Sequence, residues 1–218
     1  MSVPRIVAID GAAGSGKSTL ARGLARRLGL PYVNTGLMYR ALTLEALREG
    51  VEPGDEASLA ELTTRLRFDL TDADPPELSI GEAAPDPALE GLQVEAHVSA
   101  VSRHPEVRAL MREEQRRLGS RGAVMEGRDI ASVVFPEAPA KLYLVADAVE
   151  RARRRSLERA APGGDVERAL EERDRRDMRV NPFTPQAGAA ELDTTSLDVE
   201  ATLDAALALI RRLAPELF

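Results

Sequence analysis

The segment Gly11-Ala12-Ala13-Gly14-Ser15-Gly16-Lys17-Ser18 is a full match to G-x-x-x-x-G-K-[ST]. It stands between an apolar run, Arg5-Ile6-Val7-Ala8-Ile9-Asp10, and a segment carrying Leu20, Leu24 and Leu28 at helical spacing, closed by Gly29. Strand, loop and helix in that order leave few folds open. Glycines let the backbone wrap close to phosphate oxygens so that its N–H groups donate to them, and the helix N-terminus adds its partial positive charge. The loop is therefore an anion cradle, with a nucleotide triphosphate seat expected over Gly11, Ala12, Ala13, Gly14, Ser15, Gly16, Lys17, Ser18 and Thr19. The bland alternative is a chance Gly/Ser turn. With two lysines and 16 glycines in the chain, an accidental match anywhere in it is roughly a one-in-a-thousand event. Of 29 basic residues only Lys17 and Lys141 are lysines. A chain that otherwise uses arginine thus keeps a compact ammonium where it must fit among β- and γ-phosphate oxygens. Ser18 is the expected Mg²⁺ ligand, through its hydroxyl; ATP and Mg²⁺ are the expected cofactors.

Beyond this loop, Pro31-Tyr32-Val33 reads as a short strand and about Leu37 to Glu49 as a helix stopped by Gly50. Asp55 can cap a helix with Leu59, Leu62 and Leu66. Two short strand candidates, Phe68-Asp69-Leu70 and Leu78-Ser79-Ile80, lie among Pro- and Asp-rich turns and look like a small insertion. A helix with Val94, Val98 and Val101 follows, then another opened by Pro105 and stopped by Gly119. Ala123-Val124-Met125 and Lys141-Leu142-Tyr143-Leu144-Val145 read as buried strands. Asp147 with Glu150 reads as a capping box for a helix to about Arg159. Ala161-Pro162-Gly163-Gly164 breaks it, Asp165 starts the next, and a strand near Leu192 leads to a C-terminal helix. Strands alternating with helices predict an α/β fold: a P-loop NTPase-type parallel sheet covered by helices on both faces. The 218 residues suit a single domain with insertions.

Several function classes fall away. A net charge of −7 is a poor footprint for a partner such as a nucleic acid polymer, whereas a small phosphorylated ligand needs only a local basic pocket. The absence of cysteine excludes a disulfide framework and a Cys-based zinc site. No apolar stretch approaches the roughly 20 residues that span a bilayer, and the first residues lack the pattern of a secretion signal. No membrane partner and a cytoplasmic location are the expectations. A guanine-reading N-K-x-D sequence is missing, since Lys141 lies in Ala140-Lys141-Leu142-Tyr143. The Asp or Asp-Glu strand end of a motor ATPase is only loosely imitated by Ala123-Val124-Met125-Glu126. A small kinase is the best class. A kinase for another monophosphate or a coenzyme precursor, and a non-catalytic nucleotide-binding regulator, stay open as rivals.

Taken together, the motifs resemble bacterial cytidylate kinase over nearly the whole chain. The pieces are Ile9-Asp10-Gly11 leading into the loop, Thr35-Gly36-Leu37-Met38-Tyr39-Arg40, Ser99 followed by Pro105-Glu106-Val107-Arg108, Glu126-Gly127-Arg128-Asp129, Val133-Val134-Phe135-Pro136, Arg173-Asp174 with Asp177, and Leu192-Asp193-Thr194-Thr195. The resemblance implies ATP-dependent phosphorylation of CMP and dCMP by direct in-line transfer. It also implies a core of about residues 1–66, 120–150 and 188–218, a monophosphate-binding insert of about 67–119 and a helical lid of about 151–187, in a protein that acts as a monomer. It assigns the acceptor phosphate to Arg40, Arg128 and lid arginines, cytosine recognition to Ser99, Arg108 and Asp129, and sugar contacts to Arg173 and Asp177. Thr35 and Tyr39 are taken as substrate-binding with their motif. Lys17, Arg128, Arg173 and Arg179 are the expected catalytic group. Chemistry supports the base assignment, because cytosine offers an N4 donor and an N3 acceptor, which a carboxylate and a guanidinium complement.

The stretch from Arg151 to Arg179 interleaves arginines with acids, and i,i+4 ion pairs on a solvated hairpin account for many of them. A lid accounts for the rest, by folding over the phosphates and excluding water. Arg151, Arg154, Arg155 and Arg173 are its candidates. This chain departs from the family twice. The Ile-Arg pair expected in the insert aligns with Leu89-Glu90, so no function is carried over there. A family arginine two turns beyond Arg173 is here Val180; Arg179, in the segment turned out of helix by Asn181-Pro182, is the expected replacement, with Arg176 as the alternative. No general base is required, because a CMP phosphate with a second pKa near ~6 is already largely a dianion at neutral pH. His97 and His104, near predicted helix ends, are read as capping or exposed residues rather than catalytic ones.

Overall fold

The computed structural model of the chain describes residues 4–81, 86–159 and 185–218, together with Glu172, Asp174, Arg175 and Met178. Its centre is a parallel sheet of β1 (Ile6–Gly11), β2 (Tyr32–Asn34), β5 (Ala123–Gly127), β6 (Ala140–Val145) and β7 (Ala190–Asp193), in the order β2-β5-β1-β6-β7. Two strands outside it, β3 (Phe68–Leu70) and β4 (Leu78–Ile80), pair antiparallel. That hairpin is tied to the outer edge of β2, where the Tyr32 amide donates to the Pro76 carbonyl at 2.8 Å.

The helices are α1 (Lys17–Leu28), α2 (Thr35–Glu49), α3 (Glu56–Arg65), α4 (Leu92–Val101), α5 (Pro105–Gly119), α6 (Ala148–Arg159) and α7 (Val199–Leu213). They explain why the strands are apolar without alternation, as a sheet buried on both faces requires. Along β1, Ile6 and Ala8 face a core shared with α2, α3 and α5, and Val7 and Ile9 face a second core shared with α1 and α7. β5 divides in the same way, with Ala123 and Met125 on the first side and Val124 on the second.

Local chemistry sets the boundaries. Gly29 and Gly50 end α1 and α2 in left-handed conformation. Asp55 accepts from the Ser58 amide at 3.1 Å, and Pro105 opens α5. α2 starts earlier than its apolar pattern predicts, at Thr35, because Asn34 caps it by accepting from Leu37 N. The capping box at α6 forms only half: Glu150 N donates to Asp147 Oδ1 at 2.7 Å, but the Glu150 carboxylate is taken by Arg153 and Arg154. After β5 the chain makes one wide turn, Ile130–Val134, closed by Phe135 N donating to Ile130 O, and the sequence reading assigned no element there. The break at Ala161–Gly164 and the helix from Asp165 lie outside the described residues.

The tightest backbone approach is at Gly11, where φ is +152° and a Cβ would overlap the Leu144 carbonyl oxygen. Gly11→Ala is expected to cost at least about 2 kcal/mol of stability in urea unfolding. A variant as stable as the parent would mean that the approach of β1 to β6 is not what fixes this glycine.

Candidate active site

The loop between β1 and α1 has its peptide planes fixed from outside. The carbonyls of Gly11, Ala12, Ala13 and Ser15 accept from Arg128 (2.6 Å), Lys17 (2.7 Å), Arg151 (3.2 Å) and the Thr194 hydroxyl (3.1 Å). Gly14 and Gly16 have φ of 76° and 89°, and Gly16 stands at the N-cap of α1 without a side-chain cap. Gly16 thus places no capping side chain over the N-terminal amides of α1, at the position where an anion is most favoured. Within the cradle the Ser15 hydroxyl is wholly buried and finds no partner among the described residues. An unsatisfied buried donor of this kind fits a phosphate oxygen.

A metal ion is tested by the donors beside the loop. Ser18 Oγ donates to Glu126 Oε2 at 3.1 Å, and Glu126, 3% exposed, also accepts from the Tyr32 hydroxyl at 2.5 Å. Burial, followed by the Glu126 charge, pushes the Tyr32 phenol far above its usual range, so it stays a donor. One hydroxyl and one carboxylate are hard oxygen ligands of the kind that hold Mg²⁺ when substrate phosphates complete the shell. The residues fit. No cluster of three or more His, Cys, Asp or Glu that could hold a metal alone is found among the described residues.

From Lys17 and Ser18 a cleft, open to solvent, runs toward α4 and α5. Of the predicted site residues, Ala13, Lys17, Ser18, Thr35, Tyr39, Arg40, Ser99, Arg108, Arg128 and Asp129 line it. Thr35 Oγ1 donates to the Glu126 carbonyl at 2.8 Å, which joins the start of α2 to the end of β5. Burial pushes the Tyr39 hydroxyl up to about 12. Arg40 donates to the Leu89 carbonyl at 2.9 Å. Arg108 and Arg112 both donate to Asp129 Oδ2, at 2.7 and 3.0 Å.

Arg173, Asp177, Arg176 and Arg179 lie outside the described residues. Three arginines of α6 go separate ways: Arg151 to Ala13 O and to Asp174 Oδ2 (2.5 Å), Arg154 to Thr194 O and Glu150, and Arg155 to Glu95. His97, which is half-buried, pairs with the Gln93 carbonyl, and His104, which is buried, pairs with the Pro53 carbonyl. Neither lines the cleft.

Sequence reasoning gave no role to Glu126, Tyr32, Arg112, Glu95 or Asp10. For three of them a signal existed, the first being Glu126, an acid at the end of the apolar strand Ala123-Val124-Met125. Arg112 is one turn beyond Arg108 on α5, and Glu95 one turn before Ser99 on α4, so each shares a face with a residue already singled out. Glu126 and Tyr32 meet only because β2 and β5 pair.

A family profile described as cytidylate kinase matches residues 7–212. The chain is 42% identical over 207 residues to a cytidylate kinase of Limosilactobacillus fermentum, covering 91% of this chain and 92% of the relative. It is 39% identical over 211 residues to a cytidylate kinase of Desulfitobacterium hafniense, covering 93% and 91%. A bifunctional pantoate ligase/cytidylate kinase of Gloeobacter violaceus is 42% identical over 219 residues, covering 94% of this chain and 42% of that longer protein.

Asp10 ties the site together from below. Its carboxylate accepts from the amides of Ile130 (2.9 Å) and Ala131 (2.8 Å), the residues that follow Asp129. Burial lifts its pKa from 3.8 to about 6, against the pull of those amides and Lys17 and with the charge of Asp129 adding to the lift. The folded chain holds this proton more tightly than the unfolded one. The stabilisation is therefore complete below about 3.8 and is lost as pH rises through about 6. With Asp10→Asn as the reference, the stability of the parent relative to the variant is expected to fall by on the order of 2 kcal/mol between about pH 4 and about pH 7. Urea unfolding across that window checks it, and a flat difference would place the proton elsewhere.

Proposed function

The chain belongs to the cytidylate kinase family, and on that premise we propose that it transfers the γ-phosphoryl group of ATP directly to CMP and dCMP, giving CDP and dCDP. One observation carries the reading: a single cleft joins Lys17 and Ser18 at the glycine loop to Arg40, Arg108, Arg128 and Asp129 at its far end. A donor phosphate on the loop and an acceptor nucleotide along the cleft would then lie in the same cleft.

In this reading the loop amides and Ser15 hold the ATP phosphates, and Lys17 reaches the β- and γ-oxygens. Ser18 and Glu126 would hold Mg²⁺, which when bound neutralises charge on the β- and γ-phosphates. Arg40 and Arg128 receive the acceptor phosphate, with Arg173 and Arg179 of the lid closing on it and Asp177 and Arg173 on the sugar. The acceptor dianion attacks without a base, which agrees with two histidines that stand away from the cleft. The residues then act by in-line positioning and by neutralising charge. Asp129 accepts from the cytosine amino group while Arg108 donates to N3 or O2 and Ser99 completes the base contacts. Arg112, sharing the Asp129 oxygen, holds that carboxylate in place.

A monomer is the proposed working unit. No helix among the described residues is long and apolar enough to cross a membrane, and a role on free ATP and CMP fits the cytoplasm.

The test is an ADP-release assay with ATP-Mg²⁺ and a panel of CMP, dCMP, UMP and coenzyme-precursor acceptors. Turnover is expected chiefly with CMP and dCMP; ATP binding without acceptor-dependent turnover would mark a regulator instead. In the same assay Asp129→Asn, which turns an acceptor oxygen into a donor, is expected to shrink CMP/UMP discrimination in kcat/KM by about 1–3 kcal/mol. An unchanged ratio would mean that Asp129 does not read the base.

A further inference from the structure

Glu95 occupies a position that the reaction does not obviously need. It lies on α4, and its Oε2 is 3.4 Å from Arg40 Nη2 and 3.3 Å from Arg155 Nη2. The three side chains are only 9%, 16% and 18% exposed for Arg40, Glu95 and Arg155. Arg40 comes from α2 and Arg155 from α6, so one carboxylate oxygen links the core, the insert and the first lid helix. Both arginines line the cleft, whereas Glu95 does not.

The distances separate this cluster from the other buried ion pairs. Arg108 to Asp129 is 2.7 Å and Arg151 to Asp174 is 2.5 Å, lengths at which charge-assisted hydrogen bonds are strong. The contacts of Glu95 Oε2 with Arg40 and Arg155 are longer, and this one oxygen stands near two guanidinium groups. Arg40 is also anchored independently, through its bond to the Leu89 carbonyl. An anion that offers more charge and more acceptor oxygens than a carboxylate competes well for two such guanidinium groups, and a monophosphate has three terminal oxygens and up to two charges.

We propose that Glu95 is an internal counter-anion that competes with the acceptor phosphate for Arg40 and Arg155, and thereby sets the affinity of the cleft for nucleoside monophosphates. The inference rests on the reading of this cleft as the acceptor site. Each binding event must displace or share the carboxylate, so the cleft holds CMP more weakly than its arginines alone would. The same carboxylate eases departure of the product. With no nucleotide bound, it keeps two cationic groups from different helices together against their mutual repulsion.

The experiment is isothermal titration calorimetry of the full chain and of Glu95→Gln, without ATP, using CMP, cytidine and inorganic phosphate as separate probes. Removing one negative charge beside the phosphate seat is expected to lower the Kd for CMP, and for inorganic phosphate, at least about fivefold. The Kd for cytidine, which lacks the phosphate, is expected to change less than about twofold. Weaker binding of CMP and cytidine together would overturn the proposal and reduce Glu95 to support of the surrounding fold. Unchanged binding of CMP and phosphate would overturn it too. Should the parent bind neither CMP nor cytidine, the acceptor reading itself fails, and the phosphate arm still decides whether Glu95 competes for the arginines. Glu95→Ala, expected to shift affinities in the same direction, decides the matter if the glutamine variant does not fold.

Discussion

The chain turns at Gly11 from a strand buried on both faces into a loop that must present amides rather than carbonyls to an anion, and most of the molecule answers to that requirement. β1 is the middle strand, so its neighbours bring their C-terminal ends to the same edge: β5 delivers Glu126 through Asp129, and β6 delivers the Leu144 carbonyl against which only glycine fits. Arg128, Arg151 and Thr194, from three separate parts of the chain, hold loop carbonyls outward. A loop of small residues has little packing of its own to fix it. Its conformation is set by polar groups that arrive from elsewhere in the fold.

The electrostatics of the cleft follow a second rule. The chain carries a net charge of −7, yet the site is built from cations, and its buried arginines meet a carboxylate, a carbonyl or both. Pairing lowers the penalty of burying the guanidinium groups and aims them before an anion arrives. It also means that binding a phosphate is an exchange of partners rather than the filling of an empty positive field. The pairs differ in length, from the short bonds at Asp129 and Asp174 to the longer ones at Glu95.

What the sequence made legible was whatever is local. The glycine loop, the strands made continuously apolar by burial on both faces, the Asp55 cap and the Pro105 start all depend on neighbours along the chain, and they stand where the patterns put them. The family, and with it CMP as the substrate, was legible from the order and spacing of short motifs. The misses were long-range or competitive. Nothing near Asp10 in sequence says that it will accept from the amides of Ile130 and Ala131, and nothing near Tyr32 points to Glu126. Glu150 matched a capping box, but two arginines within a helical turn outcompete a backbone amide for its carboxylate. Asn34 was passed over as a cap because the apolar pattern of its helix begins later.

The central claim is that donor and acceptor meet in one cleft and that phosphorus passes between them in a single in-line displacement, with no protein nucleophile taking part. The stereochemical course at phosphorus tests this most directly. With ATP made chiral at the γ-phosphorus by oxygen isotopes and CMP as acceptor, a single displacement gives CDP with inverted configuration. Retention would require two displacements, and hence a phosphorylated residue of this chain as an intermediate, which would contradict the account.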